Sequence, residues 1–372
     1  MSLPLAPLIP EIEELSREVA ESRQLYQQAA REAREVLHQF AAKGESLRLK
    51  IKGLQAAIPA WEPLDYVGLP PSPPDTFTVI AADGSQIQPD RHGIALYYVI
   101  NVGSIVFRHG SGQTPQTRSI PTLYYRDEDL YEGQRLVQGN LLDVRRDIAE
   151  MRELAEQVQN CKDDSPLLAL ADGTLILWVL EEEREKHLDK VRVYLKEMER
   201  IRKAGAALAG FTSRPRYTEV VDLLRVASLG VEAFQEGTAR KQWGRLTDAA
   251  IFRLLLKPGQ RSALFESPSP VNDHYGPHRI FYFYLNTGGE IARIEVPRWV
   301  AENRELLDFA HGAILKQGEL TGGYPYVLTR AHELAVIKAQ EKANLETMIE
   351  RALISRGILP RLSEKERWKR TV

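Results

Sequence analysis

Apolar residues recur every three or four positions from Ile9 to about Leu54, within a stretch that is rich in Ala, Glu, Gln and Arg. This spacing places the apolar side chains on one face, so it predicts one or two long amphipathic helices. Such helices either pack on their own domain or form a coiled-coil or dimer arm. Residues 68–74 (GLPPSPP) then predict a stiff linker, because proline continues neither a helix nor a sheet ladder. We expect a globular domain to begin after this linker.

Beyond the linker the hydrophobic period changes from that of a helix to that of a strand. Leu96, Tyr98, Ile100 and Val102 alternate with their neighbours, which is typical of a half-buried strand. The pattern predicts strands at 76–82, 95–108 and 117–125, a helix at 128–158, a strand at 167–179, a helix at 181–204, a strand at 206–211 and a helix at 218–226. This is the element order of the ribonuclease H-like fold, an α/β class whose mixed sheet is flanked by helices.

Two of the predicted strands end on the same pattern, in residues 79–85 (VIAADGS) and 168–174 (LALADGT). Asp-Gly is also a common turn signal, but a hairpin needs an alternating strand directly after the glycine, and residues 87–93 (IQPDRHG) do not supply one. In the predicted sheet the first and fourth strands are parallel neighbours, so Asp83 and Asp172 should emerge at the same carboxyl edge.

Placing a carboxylate at the end of a buried strand costs free energy unless it is hydrated, protonated or bound to a metal ion. Mg²⁺ and Mn²⁺ prefer oxygen ligands, and one or two such ions can activate water and stabilise the leaving oxygen of a phosphodiester. The two aspartates therefore predict a metal site for phosphodiester hydrolysis.

A two-metal site usually needs a third acid, and the helix predicted at 128–158 offers Glu150, with Glu153 as the alternative on an adjoining position. In the last third of the chain, residues 322–328 predict a turn that leads into a helix carrying His332, with Tyr324 on the turn. A histidine on an apolar helix face is commonly a hydrogen-bonded core residue, but it can also ligate a metal or move a proton near neutral pH. Tyr324 and His332 can take part in catalysis only if the fold brings this segment close to the two aspartates.

Length and composition narrow the class of protein. The chain has 372 residues, of which 43% are hydrophobic, enough for a sizeable core in one large domain or two ordinary ones. Its single cysteine, Cys161, excludes an internal disulfide framework and a cysteine-rich zinc site. The net charge of −2 gives no global attraction to nucleic acid. The N-terminus does not resemble a signal peptide, and no apolar run approaches the roughly 20 residues of a membrane span, so we expect a soluble, cytoplasmic protein.

An ordered set of short segments resembles the NurA nuclease family from about Thr76 to Ile337. The segments are 81–86 (AADGSQ), 170–175 (LADGTL), 208–214 (LAGFTSR), 246–248 (LTD), 258–262 (PGQRS), 324–325 (YP) and 330–332 (RAH). The resemblance implies an RNase H-like fold and a Mn²⁺-dependent deoxyribonuclease, with Mg²⁺ as a possible substitute. It implies 5′-to-3′ exonuclease activity on single- and double-stranded DNA and endonuclease activity on single strands. It also implies a homodimer that acts with a HerA-type hexameric translocase in DNA end resection and double-strand break repair.

The resemblance also implies roles for individual residues. Carried over by position, it makes the catalytic set Asp83, Glu150, Asp172, Tyr324 and His332, with Glu153 as the alternative to Glu150. The metal ligands are then the two aspartates, the helix acid and His332, which would complete the metal site or stabilise the departing oxygen. Arg214 and Arg261 follow turn-like segments and are candidates for binding DNA phosphates. Asp248 is either a further acid or a helix cap.

The expected organisation is an N-terminal helical arm and linker at 1–67, a NurA nuclease domain at 76–345, and a C-terminal helix with a basic tail at 346–372. The RNase H-like core would cover about 76–230, and a C-terminal α+β extension would complete the site. Two other functions remain open. An ATP-binding phosphotransferase of the actin and sugar-kinase type uses similar loops, but it needs a second copy of the fold, and no repeat is found after Val226. A catalytically inactive DNA-repair adaptor would keep the fold and use the helical arm for assembly.

Overall fold

The computed structural model describes residues 5–91, 93, 95–162, 166–177 and 188–358, apart from the side chain of Arg240. The strands are β1 (Ile58–Pro59), β2 (Phe77–Ile87), β3 (Tyr98–His109), β4 (Gln116–Tyr124), β5 (Tyr131–Glu132), β6 (Arg135–Leu136), β7 (Leu167–Asp172), β8 (Ala207–Thr212), β9 (Phe265–Glu266), β10 (Ile280–Asn286) and β11 (Ile291–Pro297).

The helices lie before, between and after these strands along the chain. They are α1 (Ile9–Gln39), α2 (Gly44–Lys50), α3 (Asp127–Leu130), α4 (Asn140–Asn160), α5 (Leu188–Lys203), α6 (Glu219–Leu229), α7 (Val231–Gln235), α8 (Asp248–Leu255), α9 (Arg298–Ala301), α10 (Arg304–Gly318), α11 (Tyr326–Ala335) and α12 (Ala339–Ile354). None of these helices has a stretch apolar enough, at sufficient length, to cross a bilayer. The predicted basic tail lies outside the described residues.

The chain forms two compact units that are each discontinuous in sequence. The first unit draws on residues 1–70, 212–268 and 281–294, and the second on 71–211, 269–280 and 295–372. Residues 212–230 were expected to belong to the RNase H-like core, but α6 packs in the same apolar cluster as α1 and α8. The predicted division into consecutive segments is therefore corrected at this point.

The second unit contains a mixed sheet in the order β8-β7-β2-β3-β4. β2, β3 and β4 form an antiparallel meander, while β7 runs parallel to β2 and β8 parallel to β7. This confirms the predicted RNase H-like strand order. The meander was recognisable from its alternating residues, and the parallel pairs follow because helical crossovers connect parallel strands.

β2 extends further than predicted. The prediction ended the strand before Asp83, but residues 84–87 continue to pair with β3, with Ile87 opposite Val99. Asp83 therefore lies within a paired strand, whereas Asp172 is the last residue of β7.

One face of this sheet is covered by α4 and α5. Ile80 and Ala82 of β2 belong to the same buried cluster as Ile148, Met151 and Leu154 of α4. The single helix predicted at 128–158 is instead α3, a two-stranded β5–β6 ribbon and α4. The interruptions coincide with two glycines of positive φ, Gly133 at 61° and Gly139 at 54°, a conformation that a helix cannot contain.

The opposite face of β2 and β3 is covered by α11, which approaches the sheet at Gly103. A Cβ atom on Gly103 would lie 2.5 Å from both the Ala331 carbonyl oxygen and the Ala335 amide nitrogen. Glycine at this position therefore allows the helix backbone to rest directly on β3.

In the first unit, the C-terminal part of α1 packs Ala30, Ala33 and Leu37 in one cluster with Ile251 and Phe252 of α8. Where one or two long amphipathic helices were predicted at 9–54, the structure has one long helix, α1, and a short one, α2. The N-terminal half of α1 is different, because Ile12, Leu15 and Val19 are each more than half exposed. Part of the arm packs on its own unit, and part presents an apolar stripe to solvent.

Substitution of Gly103 by alanine should destabilise the protein by about 1–3 kcal/mol, because the added methyl group meets rigid helix backbone. The free energy of unfolding in urea measures this effect. Gly44→Ala is the matched control, since its Cβ would meet no backbone, only the side chains of Pro59 at 3.4 Å and Leu64 at 4.0 Å, and alanine favours the start of α2. Equal stability of the Gly103→Ala variant and the wild type would contradict the packing of α11 on β3.

Candidate active site

Asp83 and Asp172 lie side by side on neighbouring parallel strands. Ala82 of β2 is in register with Ala171 of β7, and each aspartate is the next residue along its strand. Side chains alternate between the faces of a strand. Because Ala82 and Ala171 belong to the cluster beneath α4, the two aspartates point to the other face, where α11 lies.

The Tyr324 to His332 segment returns to these two aspartates. The Tyr324 hydroxyl donates to Asp172 Oδ2 at 2.9 Å, and His332 Nδ1 donates to Asp83 Oδ2 at 2.7 Å. The His332 side chain is 63% exposed, so its interpretation as a buried core histidine is wrong. The structure therefore brings Asp83, Asp172, Tyr324 and His332 into one cluster, which consists of two hydrogen-bonded pairs on neighbouring strands.

Polar side chains of β2, β3 and β4 hydrogen-bond to the C-terminal end of α11, the helix that carries His332. Ser85 Oγ and Asn101 Nδ2 donate to the Ala335 carbonyl at 2.5 and 2.8 Å, and Ser119 Oγ donates to the Leu334 carbonyl at 3.1 Å. These bonds satisfy helix-end carbonyls that have no partner within the helix. The sequence analysis did not identify them, because the side chains come from three strands far from α11 in sequence.

A buried carboxylate also holds the turn that follows Asp172. Glu295, which is fully buried, accepts from Thr174 Oγ1 and from the Leu175 amide, both at 2.8 Å. Gly173 has a φ of +92°, so glycine is needed for the turn itself. Glu295 was missed, although an acid inside the apolar run 291–296 is a signal that could have indicated it.

Glu150 approaches β2 from the α4 side. A Cβ atom on Gly84 would lie only 2.4 Å from Glu150 Oε1 and 2.7 Å from Arg146 Cγ. Arg146 Nε donates to that same Glu150 oxygen at 3.1 Å. The glycine after Asp83 therefore makes room for a glutamate and an arginine beside the aspartate, and does not form a turn.

Glu153, the alternative third acid, is placed elsewhere. Its Oε1 accepts from Ser104 Oγ at 2.7 Å and from Gln157 Nε2 at 2.8 Å, and the residue is buried. The Glu153 carboxylate is therefore hydrogen-bonded within the contact between α4 and β3. Glu150 is therefore the acid of α4 that lies beside Gly84, the residue after Asp83, and it reaches β2 from the face opposite to the aspartate side chains.

Burial and neighbouring charges raise the pKa values of Asp172 and Glu150. Burial raises the pKa of Asp172 and the Asp83 charge raises it further, while the Tyr324 hydrogen bond and His332 lower it. The pKa of Glu150 is well above its usual range, mainly because of burial and secondly because of Asp147; Asp83 and Asp172 add smaller effects in the same direction. A nearby cation would relieve this repulsion.

The donor set fits a hard divalent cation. Its members are carboxylate oxygens, which suit Mg²⁺ and Mn²⁺, and their mutual repulsion favours a shared positive charge. Across the described part of the chain, no three His, Cys, Asp or Glu side chains already converge as a ready-made metal site. Asp83 is bonded to His332 and Glu150 to Arg146, so a bound ion would share or replace these partners.

Comparison with known proteins adds the family. The NurA domain family matches residues 77–337, which is more than half of the chain and contains the whole cluster. The chain belongs to the NurA domain family. This confirms the resemblance drawn from the short segments. Comparison with curated proteins gives no match.

Among solved structures, the NurA nuclease from Sulfolobus solfataricus is similar with a TM-score of 0.50 and 14% identity, covering 86% of this chain and 95% of that one. The catalytic domain of human endonuclease V gives a TM-score of 0.30 at 11% identity, covering 85% of this chain and 98% of that one. The similarity to the Sulfolobus protein supports the NurA fold, and at 14% identity it shows the fold alone.

The structure places the two arginines that were candidates for phosphate binding in different environments. Arg261 is 1% exposed and forms a bidentate ion pair with Glu62, at 2.9 and 2.7 Å. It is a structural residue of the first unit, and its expected contact with DNA is corrected for that reason. The Arg214 side chain is 90% exposed, 3.6 Å from Glu290, and stays a candidate.

Asp248 is a cap, as one of its two interpretations held, but for a different helix. It is fully buried and accepts from the amides of Val220 and Val221 at the start of α6 and from the Tyr284 hydroxyl. Burial raises its pKa to about 7. Tyr284 and its neighbour Tyr282 are also buried.

Replacement of Arg261 by methionine should lower the free energy of unfolding by about 3–5 kcal/mol, because it leaves Glu62 without its buried counter-ion. Urea denaturation measures the change, with Arg253→Met as an exposed control that should differ from the wild type by less than about 0.5 kcal/mol. Full stability with weakened DNA binding in Arg261→Met would instead restore the phosphate-binding role.

Proposed function

We propose that this protein is a metal-dependent nuclease that hydrolyses phosphodiester bonds in DNA. The observation that carries the proposal is the pairing of Asp83 and Asp172 on adjacent parallel strands, with His332 and Tyr324 bonded to them. Membership of the NurA family and the fold shared with the Sulfolobus NurA nuclease support it.

We assign the metal-holding role to Asp83, Asp172 and Glu150, with Mn²⁺ as the expected ion and Mg²⁺ as a substitute. A divalent ion bound there supplies an activated water and stabilises charge on the leaving oxygen. Tyr324 donates to Asp172 and favours the ionised carboxylate that an ion needs. His332 uses Nδ1 for Asp83, which leaves Nε2 to ligate the ion or to give a proton to the departing oxygen.

The finer properties follow from the family and are proposals in the same sense. We propose 5′-to-3′ exonuclease activity, endonuclease activity on single strands, and a cytoplasmic role in DNA end resection and double-strand break repair with a HerA-type translocase. The exposed apolar stripe of α1 supports a homodimer, because a solitary helix gains stability by burying such a stripe.

The direct test is incubation of the protein with end-labelled single- and double-stranded DNA and Mn²⁺, Mg²⁺ or EDTA. We expect cleavage with Mn²⁺, less with Mg²⁺ and none with EDTA. Asp83→Asn, Asp172→Asn and Glu150→Gln should each reduce the rate by about two orders of magnitude or more, because each removes a charge from the reacting site.

Glu153→Gln is the matched control on the same helix. It should keep metal-dependent cleavage and lose only about 1–3 kcal/mol of stability, since Glu153 bonds to Ser104 and Gln157. Inactive Glu153→Gln beside active Glu150→Gln would transfer the role to Glu153. Cleavage that persists in EDTA would refute the metal-dependent mechanism.

The pH dependence of cleavage tests the link between Tyr324 and Asp172. Tyr324→Phe removes a hydrogen bond that lowers the pKa of Asp172, so this pKa should rise further. Because an ion binds the ionised carboxylate, the acid limb of the pH–rate profile should move to higher pH and activity should recover on the alkaline side. Tyr326→Phe on α11 is the control. An unshifted acid limb in Tyr324→Phe would contradict this role.

A further inference from the structure

Arg146 contacts the carboxylate that the proposed metal site needs. Its guanidinium lies on α4 among three acids of the same helix. Nε is 3.1 Å from Glu150 Oε1, Nη2 is 3.1 Å from Asp147 Oδ1, and Nη1 is 3.7 Å from Asp143 Oδ1. One positive charge is thus shared by three carboxylates at the edge of the cluster.

The backbone beside Asp83 is shaped to admit this arginine. At Gly84 a Cβ atom would lie 2.7 Å from Arg146 Cγ and 3.1 Å from its Cδ, in addition to its close approach to Glu150. Any other residue at position 84 would displace one or both side chains. Gly84 therefore fixes where the Arg146–Glu150 pair sits relative to the first aspartate.

The charges around Glu150 explain why the pair forms. Asp147, Asp83 and Asp172 surround Glu150 with negative charge, and the Arg146 guanidinium is the positive charge bonded to it. The excess of negative charge around Glu150 would attract a divalent cation in the same way. Two cations at one carboxylate repel each other, so the guanidinium and a divalent ion compete for Glu150.

We propose that Arg146 is a built-in counter-ion of this site, which holds Glu150 against Gly84 and competes with the divalent cation for that carboxylate. The inference rests on the proposed metal-dependent function. On ion binding, Glu150 exchanges Arg146 for the ion, and the guanidinium keeps Asp143 and Asp147 as partners. Arg146 is accordingly a positioning residue that sets the metal affinity through Glu150.

The test measures Mn²⁺ binding to the full-length protein without DNA, by calorimetry and by the electron paramagnetic resonance signal of free Mn²⁺. Arg146→Gln should bind Mn²⁺ about tenfold more tightly than the wild type, because it removes one competing positive charge. Arg146→Lys keeps the charge and should stay within about threefold of the wild type. Arg146→Gln should also melt at a lower temperature without Mn²⁺ and gain more on its addition, which shows that it folds.

Two further variants separate a local effect from a general one. Arg152→Gln removes the same charge from the same helix, but Arg152 faces Glu197 at 3.8 Å, so its Mn²⁺ affinity should be unchanged. In a Glu150→Gln background, Arg146→Gln should give no additional tightening, because the competition acts through Glu150.

The outcomes distinguish this inference from the proposed function. Unchanged or weaker Mn²⁺ binding in Arg146→Gln, with saturable binding in the wild type, would overturn the counter-ion role and leave the metal site standing. Absence of saturable Mn²⁺ and Mg²⁺ binding in the wild type would overturn both. An equal gain in Arg152→Gln would reduce the effect to overall charge and overturn the inference.

Discussion

The site depends on one electrostatic constraint, which is that two carboxylates occupy neighbouring positions on parallel strands. The β2–β7 register places Asp83 beside Asp172, where burial and mutual repulsion raise the pKa of Asp172. The surrounding groups compensate for this arrangement. Tyr324 and His332 donate from one side, and the Gly84 amide donates to Asp83 Oδ1 at 2.8 Å.

Close backbone approach at two glycines makes this compensation possible. Gly103 allows α11 to rest on β3, and Gly84 allows α4 to bring Glu150 and Arg146 against β2. Two adjacent residues of β2 are therefore contacted from opposite faces of the sheet. His332 of α11 bonds to Asp83, and Glu150 of α4 lies against Gly84. Ser85 and Asn101 then secure the end of α11, so the position of His332 follows from the packing of the sheet.

Much of the second unit was predictable because its signals are local. Alternation in β3 and the order of elements were sufficient for the RNase H-like topology, and parallel pairing then placed the two aspartates together. Choosing between Glu150 and Glu153 was not possible on the same basis. Both lie on one side of α4, and the helical period alone does not reveal which residue faces Gly84 and which faces Ser104. Arg261 was a candidate for phosphate binding because its buried partner, Glu62, is distant in sequence and is not revealed by the local pattern.

The sequence by itself determined the strand order of the sheet in the second unit, the two Asp-Gly segments that lie side by side on it, and the family. Those properties depend on local periodicity and on ordered short motifs, which a single chain displays without folding. Only the tertiary structure decided which acid approaches the aspartates, which arginine is buried, and that the last third of the chain closes the site. The Tyr324–Asp172 and His332–Asp83 bonds span 152 and 249 positions, and contacts at such separations arise from packing between elements, which local pattern does not specify.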